Sequence, residues 1–210
     1  TKFNSTFDFT KDKITPIIAE LMGDKASFFH SLFHILKRIP QTKVRVLDIM
    51  KSFDNTKIPV ECYIDNFDAI ILALIQEMQQ NQSEIKRVYV INGVTKLKEK
   101  LSTPNIPLYE KFFKVAKESE NTIVIIADNA KNYQKLTIET WFNDIINQTR
   151  GIWLGTGIGD QNLIKTQVNT DTRNLNYQDM GFIIDDEKIT PIKIVVKEKD
   201  NREDGDNNEK

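Results

Sequence analysis

The stretch MGDKAS, residues 22–27, lies between an apolar run and a helix-forming segment. That is where a phosphate-cradling loop opens a helix. Such a loop needs glycines that let backbone approach phosphate, a lysine that reaches the outer phosphates and a Ser/Thr hydroxyl for Mg²⁺, spaced G-x-x-x-x-G-K-[ST]. The pattern can be laid in two registers. With Gly23 as the second glycine, Asp24 takes the lysine position, Lys25 the hydroxyl position and Ile18 the place of the first glycine. With Lys25 as the lysine, Asp24 replaces the second glycine, Ala26 the hydroxyl and Ala19 the first glycine. Both registers fail at several positions. A carboxylate at Asp24 repels a polyphosphate at close range, and a Cβ at each glycine position crowds the approach. What survives is a helix N-terminus with free N–H groups, plus Ser27, a hydroxyl one residue late. The competing role for Asp24 is capping its own helix.

Nucleotide hydrolases with such a loop also carry an Asp, often Asp-Glu, at the end of a buried strand, to hold Mg²⁺ and polarise the attacking water. In RVYVINGV (residues 87–94), Asn92 and Gly93 stand there. Asn92 is neutral and a weak partner for Mg²⁺, and Gly93 offers no base. The pair also reads as an ordinary turn after a strand. Either way, no catalytic residue is expected.

Other spacings carry less. His30 and His34 are one helical turn apart, but Ser31 stands where a zinc-protease pattern needs Glu, and no third ligand suggests itself, so no metal is expected. Arg150, between a helix and a strand, suits either an arginine finger toward a neighbouring module or a helix C-terminus. Asp128 and Asn129 end a strand, where open α/β sheets bind ligands, or else make a turn. Trp141, Phe142 and Trp153 are expected in the core.

The elements that must position these residues follow from periodicity. Apolar strand-like runs at 14–21, 43–50, 87–94, 122–129 and 151–157 alternate with helical patterns at 25–39, 65–82, 107–121 and 136–150. Pro16 is expected at an edge or strand terminus, and Asp65 or Asn66 is expected to cap the second helix. Near-continuous apolar strands alternating with helices predict a parallel sheet covered on both faces. Residues 181–196 hold two runs about a polar turn at 185–188, an antiparallel hairpin added to that sheet. Residues 1–196 are expected to form one domain, and the charged, Asn-rich stretch 197–210 a disordered tail.

Composition narrows the function classes. A formal net charge of −1 without a basic, aromatic-laced stripe argues against nucleic acid as a partner. Cys62 is the only cysteine, so no intrachain disulfide or cysteine zinc cluster is possible. No apolar run approaches the roughly 18 residues of a membrane span. The first residue is Thr1, which suggests a piece of something longer.

Three stretches carry a resemblance: TIVIIADN, WFNDIINQTRGIWLGTGIGDQNLIKT and MGFIIDDEKITPIKIVV, with GIWLGTGIGDQ the most specific. They resemble the last ATPase module of the EssC family, the membrane-anchored FtsK/SpoIIIE-type ATPases of type VII secretion in Gram-positive bacteria. The resemblance runs over about residues 122–196. Over 14–94 only the strand–loop–helix order is kept. It implies a RecA-like, P-loop-NTPase-like core at the cytoplasmic face of the bacterial membrane, without direct membrane contact by this fragment. It also implies other modules of the same ATPase and type VII secreted substrate proteins as partners, and degenerate last modules in the parent. The broken loop and Asn92 agree with degeneracy. A degenerate nucleotide site at Gly23, Asp24, Lys25, Ala26, Ser27 and Asn92 is therefore expected to scaffold, regulate or dock substrates, with no cofactor required. The alternative is a weak ATP-binding or hydrolysing module.

Overall fold

The computed structural model describes residues 7–20, 25–53, 58–80, 84–167 and 180–194. Gly23 and Asp24, and the tail expected at 197–210, lie outside the described residues.

The apolar runs become β1 (Ile14–Ala19), β2 (Thr42–Asp48), β4 (Lys86–Asn92), β5 (Thr122–Asn129) and β6 (Gly151–Leu154), with a short β3 (Glu61–Tyr63) beside β2. They join β7 (Met180–Asp185) and β8 (Lys188–Lys193) in an eight-stranded sheet ordered β3-β2-β4-β5-β1-β6-β7-β8. Strands β1 to β6 pair in parallel. The β7–β8 hairpin adds antiparallel to β6, as the polar turn predicts. Asp186 and Glu187 make that turn with φ of 50° and 67°, the two positive values that a tight hairpin requires.

Pro16 is a correction: it sits inside a central strand, in register with Ile126 of β5. Glu20 N donates to Leu154 O, so the alternate residues Pro16 and Ile18 also turn their backbone groups toward β6. Paired residues of β6 begin opposite Ile17, so the missing N–H of Pro16 faces the point where that ladder starts.

Alternation along the strands divides the core. One face packs Ile14, Ile18, Tyr89, Ile91 and Val124 against α2 (Phe67–Gln79), α3 (Val94–Lys100), α4 (Ile106–Glu118) and α6 (Thr140–Ile145). The other packs Ile17, Val46, Val90 and Ile125 against α1 (Lys25–Lys37), through Phe29, Leu32, Phe33 and Leu36. Trp141, Phe142 and Trp153 are buried in the first cluster, as expected.

Two local expectations fail. Asn66 precedes α2 in a left-handed conformation (φ 52°) without a side-chain cap bond. The helix expected over 136–150 is instead a 3-10 turn Gln134–Ile138 and the short α6, separated by an extended Glu139. Downstream, Asn147 Oδ1 accepts from Thr149 N at 3.0 Å and bends the chain locally. After β5 the chain enters the short α5 (Ala130–Tyr133), where Asn129 Oδ1 accepts from Asn132 N at 2.8 Å, a side-chain cap.

Candidate functional site

Parallel pairing brings the carboxyl ends of β1, β2, β4, β5 and β6 to one edge, and α1 begins there. Asp48 lies opposite Asn92, Asn92 opposite Ala127, and Ile18 opposite Asp128. The row Asp48–Asn92–Asp128 is fully buried.

Buried polar groups need partners, and here one comes from within the row and the rest from neighbouring backbone and side chains. Asn92 Nδ2 donates to Asp48 Oδ1 at 2.6 Å, and Phe53 N donates to Asp48 Oδ2 at 2.8 Å. Asp128 Oδ2 accepts from Thr95 N at 3.1 Å and Thr95 Oγ1 at 2.6 Å. Its Oδ1 accepts from Asn129 N and from Asn132 Nδ2, each at 2.9 Å. Asn92 Oδ1 is buried without a hydrogen-bond partner among the described residues.

Lys25 is the first residue of α1 and completes this edge. Burial pushes its ammonium below the usual lysine value, while the Asp128 and Asp48 carboxylates pull it back up. A lysine at the start of a helix, facing strand ends, is where the second register puts it. The loop before it, with Gly23 and Asp24, is outside the described residues. Ala26 is exposed and Ser27 half-buried in the first turn. Among the six expected site residues, Lys25 and Asn92 therefore share one edge with Asp128 and with Asp48, which sequence reasoning left out.

Gly93 takes φ +93°, and its N donates to Ala127 O at 2.8 Å. A Cβ there would lie 2.6 Å from Met50 Cγ. The position next to Asn92 is thus closed to a larger side chain unless Met50 moves.

Asp48 is the residue sequence reasoning missed. Its signal was a lone carboxylate closing an apolar strand, which an end-of-strand turn explains equally well. Asp128, weighed against a turn, is at the site's centre. Arg150 is elsewhere. It is 2% exposed at the amino end of β6, opposite the edge that carries Lys25. Its Nε donates to Asp185 Oδ1 at 2.6 Å, its Nη1 to Asp12 Oδ2 at 2.5 Å and its Nη2 to Asp8 O at 3.2 Å, with Phe7 against the guanidinium. It clamps residues 8–12, just before β1, to the hairpin and has no exposed group to act as a finger. His30 and His34 pack ring to ring at 4.6 Å. Among the described residues no cluster of three or more His, Cys, Asp or Glu side chains suits a metal ion, and no helix is long and apolar enough to cross a membrane.

No family model and no curated protein matches the chain. Solved structures do. ATPases 2 and 3 of EccC from Thermomonospora curvata, in complex with a signal sequence peptide, superpose with a TM-score of 0.65 at 12% identity, covering 92% of this chain and 38% of that one. ATPases 2 and 3 of EssC from Geobacillus thermodenitrificans give 0.61 at 15% identity, over 90% of this chain and 38% of that one. The genome-packaging NTPase B204 of Sulfolobus turreted icosahedral virus 2, in complex with ATP-gammaS, gives 0.51 at 14% identity, over 90% and 100%. The fold is thus that of type VII secretion ATPase domains, a RecA-like, P-loop-NTPase-like sheet with a C-terminal hairpin. The chain spans two fifths or less of the type VII chains it matches.

Proposed function

We propose that this chain is a degenerate RecA-like module of a type VII secretion motor, which scaffolds, regulates or docks secreted substrates and does not itself hydrolyse ATP. One observation carries the reading. At the end of β4, Asn92 and Gly93 stand in place of an acid pair, and the Asn92 amide is bonded to the buried Asp48. A hydrolysing site needs a carboxylate for Mg²⁺ and a group that orients water. Here the two carboxylates beside Lys25 are not at that position and are already engaged: Asp48 accepts from Asn92 and Phe53, and Asp128 from Thr95, Asn129 and Asn132.

Similarity to EssC and EccC domains supports the place in a motor, and the neighbour bound to a signal sequence peptide supports secreted proteins as partners. Other modules of the same ATPase, at the cytoplasmic face of a bacterial membrane, complete the proposed setting. A second reading, weak ATP binding, draws on Lys25 at the helix start and on the fold shared with the ATP-gammaS-bound packaging NTPase.

The test is phosphate release by the purified chain with Mg-ATP. The expected rate is indistinguishable from buffer. Turnover near about 1 s⁻¹, ordinary for an enzyme, and lost in Lys25→Met, overturns the proposal.

A further inference from the structure

We propose that the groove between α3, the start of α4 and the 3-10 turn before α6 is a docking surface for an acidic peptide segment bearing a large apolar side chain. Two adjoining hollows of about 410 and 400 Å³ share Lys98 and Ile106 and make one continuous groove. It lies on the helical side of the molecule, with Thr95 and Asn132 as its nearest approach to the Lys25 edge.

Its chemistry is mixed in a particular way. Ile106 and Pro107 supply exposed apolar surface, with Leu136 buried beneath. Ile138, in the chain between Leu136 and Glu139, is 85% exposed, far more than any other large apolar residue among those described. Ile138 does not line either hollow, but Leu136 and Glu139 on either side of it in the chain do, so it extends the apolar surface offered beside the groove. The rim is basic. Glu139 is already neutralised, because Lys98 Nζ lies 3.4 Å from it and Trp141 Nε1 donates to it at 2.9 Å. That leaves Lys96, Lys111, Lys114 and Lys135 facing Glu99 and Glu110. The whole chain is net negative, so this local excess of positive charge selects an acidic partner by complementarity. The apolar surface of Ile106 and Pro107 offers a seat to a peptide's apolar side chain that a phosphate backbone would not use.

The inference deepens the docking role proposed above and rests on that reading for the partner's place in secretion, not for the groove's chemistry. The test is fluorescence anisotropy on the full chain with a fluorescein-labelled peptide of glutamates carrying two leucines. The same peptide with lysine for glutamate and a labelled DNA duplex serve as comparisons. The glutamate peptide is expected to bind saturably, and Ile138→Asp and the double variant Lys96→Glu/Lys135→Glu are each expected to weaken it about tenfold or more. Lys188→Glu, at the far edge of the sheet, is expected to leave binding unchanged, and all variants to melt like the parent. Flat titration to about 1 mM, equal binding by the lysine peptide, or capture of the duplex through the same lysines overturns the inference. So does concentration-dependent dimerisation lost in Ile138→Asp, which assigns the groove to a second copy. ATP turnover measured on the same preparation separates the two proposals, since turnover defeats the degenerate reading and leaves the groove standing.

Discussion

Replacing Gly93 by alanine tests whether the position beside Asn92 is closed. Gly93 has φ +93° and leaves 2.6 Å between an ideal Cβ and Met50 Cγ, and 3.1 Å to Met50 Sδ. An L side chain at positive φ costs about 1–2 kcal/mol. Overpacking against Met50 adds about 1–2 kcal/mol, at the low end because methionine can change rotamer. The sum is about 3 kcal/mol, which lowers Tm by about 6–12 °C in a chain of this size. Urea melts followed by tryptophan fluorescence measure it, and Met50→Ala in the same background measures the steric half. The double variant is expected to recover about 1–2 kcal/mol relative to additivity and to leave the backbone half. A Gly93→Ala loss under about 0.5 kcal/mol, or no coupling to Met50, refutes the reasoning. The functional corollary is direct. Gly93→Glu, which would put a carboxylate where a hydrolase holds one, is expected to destabilise the chain at least as much and to confer no turnover.

The Arg150 clamp has its own signature. Arg150→Met is expected to cost roughly 2–4 kcal/mol, below the fully buried limit because Asp12 and Asp185 keep some exposure. Burial alone would raise the Asp185 carboxyl, but Arg150 outweighs it and the group is held below the usual carboxylate range. A depressed carboxyl stabilises above its unfolded pKa, and that stability is lost as pH falls through the folded value. Acid denaturation of the parent should therefore steepen below about pH 4, and Arg150→Met should flatten it; equal acid profiles contradict the clamp. In the hairpin turn, Asp186→Asn with Glu187→Gly is expected to raise stability by about 1 kcal/mol, read by thermal melts, because both positions have positive φ. Burial, with the Asp48 charge added, pushes the Cys62 thiol up to about 12. Its reaction with a thiol reagent at pH 8 should run about 10³-fold slower than that of free cysteine, and Asp48→Asn should speed it.

The sheet was legible in the sequence because its central strands are long and apolar: β4 and β5 are buried on both faces and read as continuous runs. β3 was not, since three residues with mixed exposure carry no period. α3 was hidden behind Asn92-Gly93, a pair that reads as a turn and here does both, ending β4 and opening a helix. The over-long helix at 136–150 failed at Glu139, whose carboxylate reaches Lys98 and the Trp141 indole from extended backbone. At the site, Asn92 was found because its strand was found. Asp48 was not, because its meaning depends on strand register: only β2 beside β4 puts it against the Asn92 amide. No local pattern encodes that adjacency.

In the proposed reading, the edge around Lys25 carries an internal carboxylate network in place of a working nucleotide site. Calorimetric titration of Mg-ATP into the full chain tests it most directly, with Lys25→Met as the comparison. No heat of binding up to about 1 mM nucleotide is the predicted result. Micromolar binding that disappears in Lys25→Met contradicts it and makes this edge a nucleotide site despite Asn92, Gly93 and Asp48.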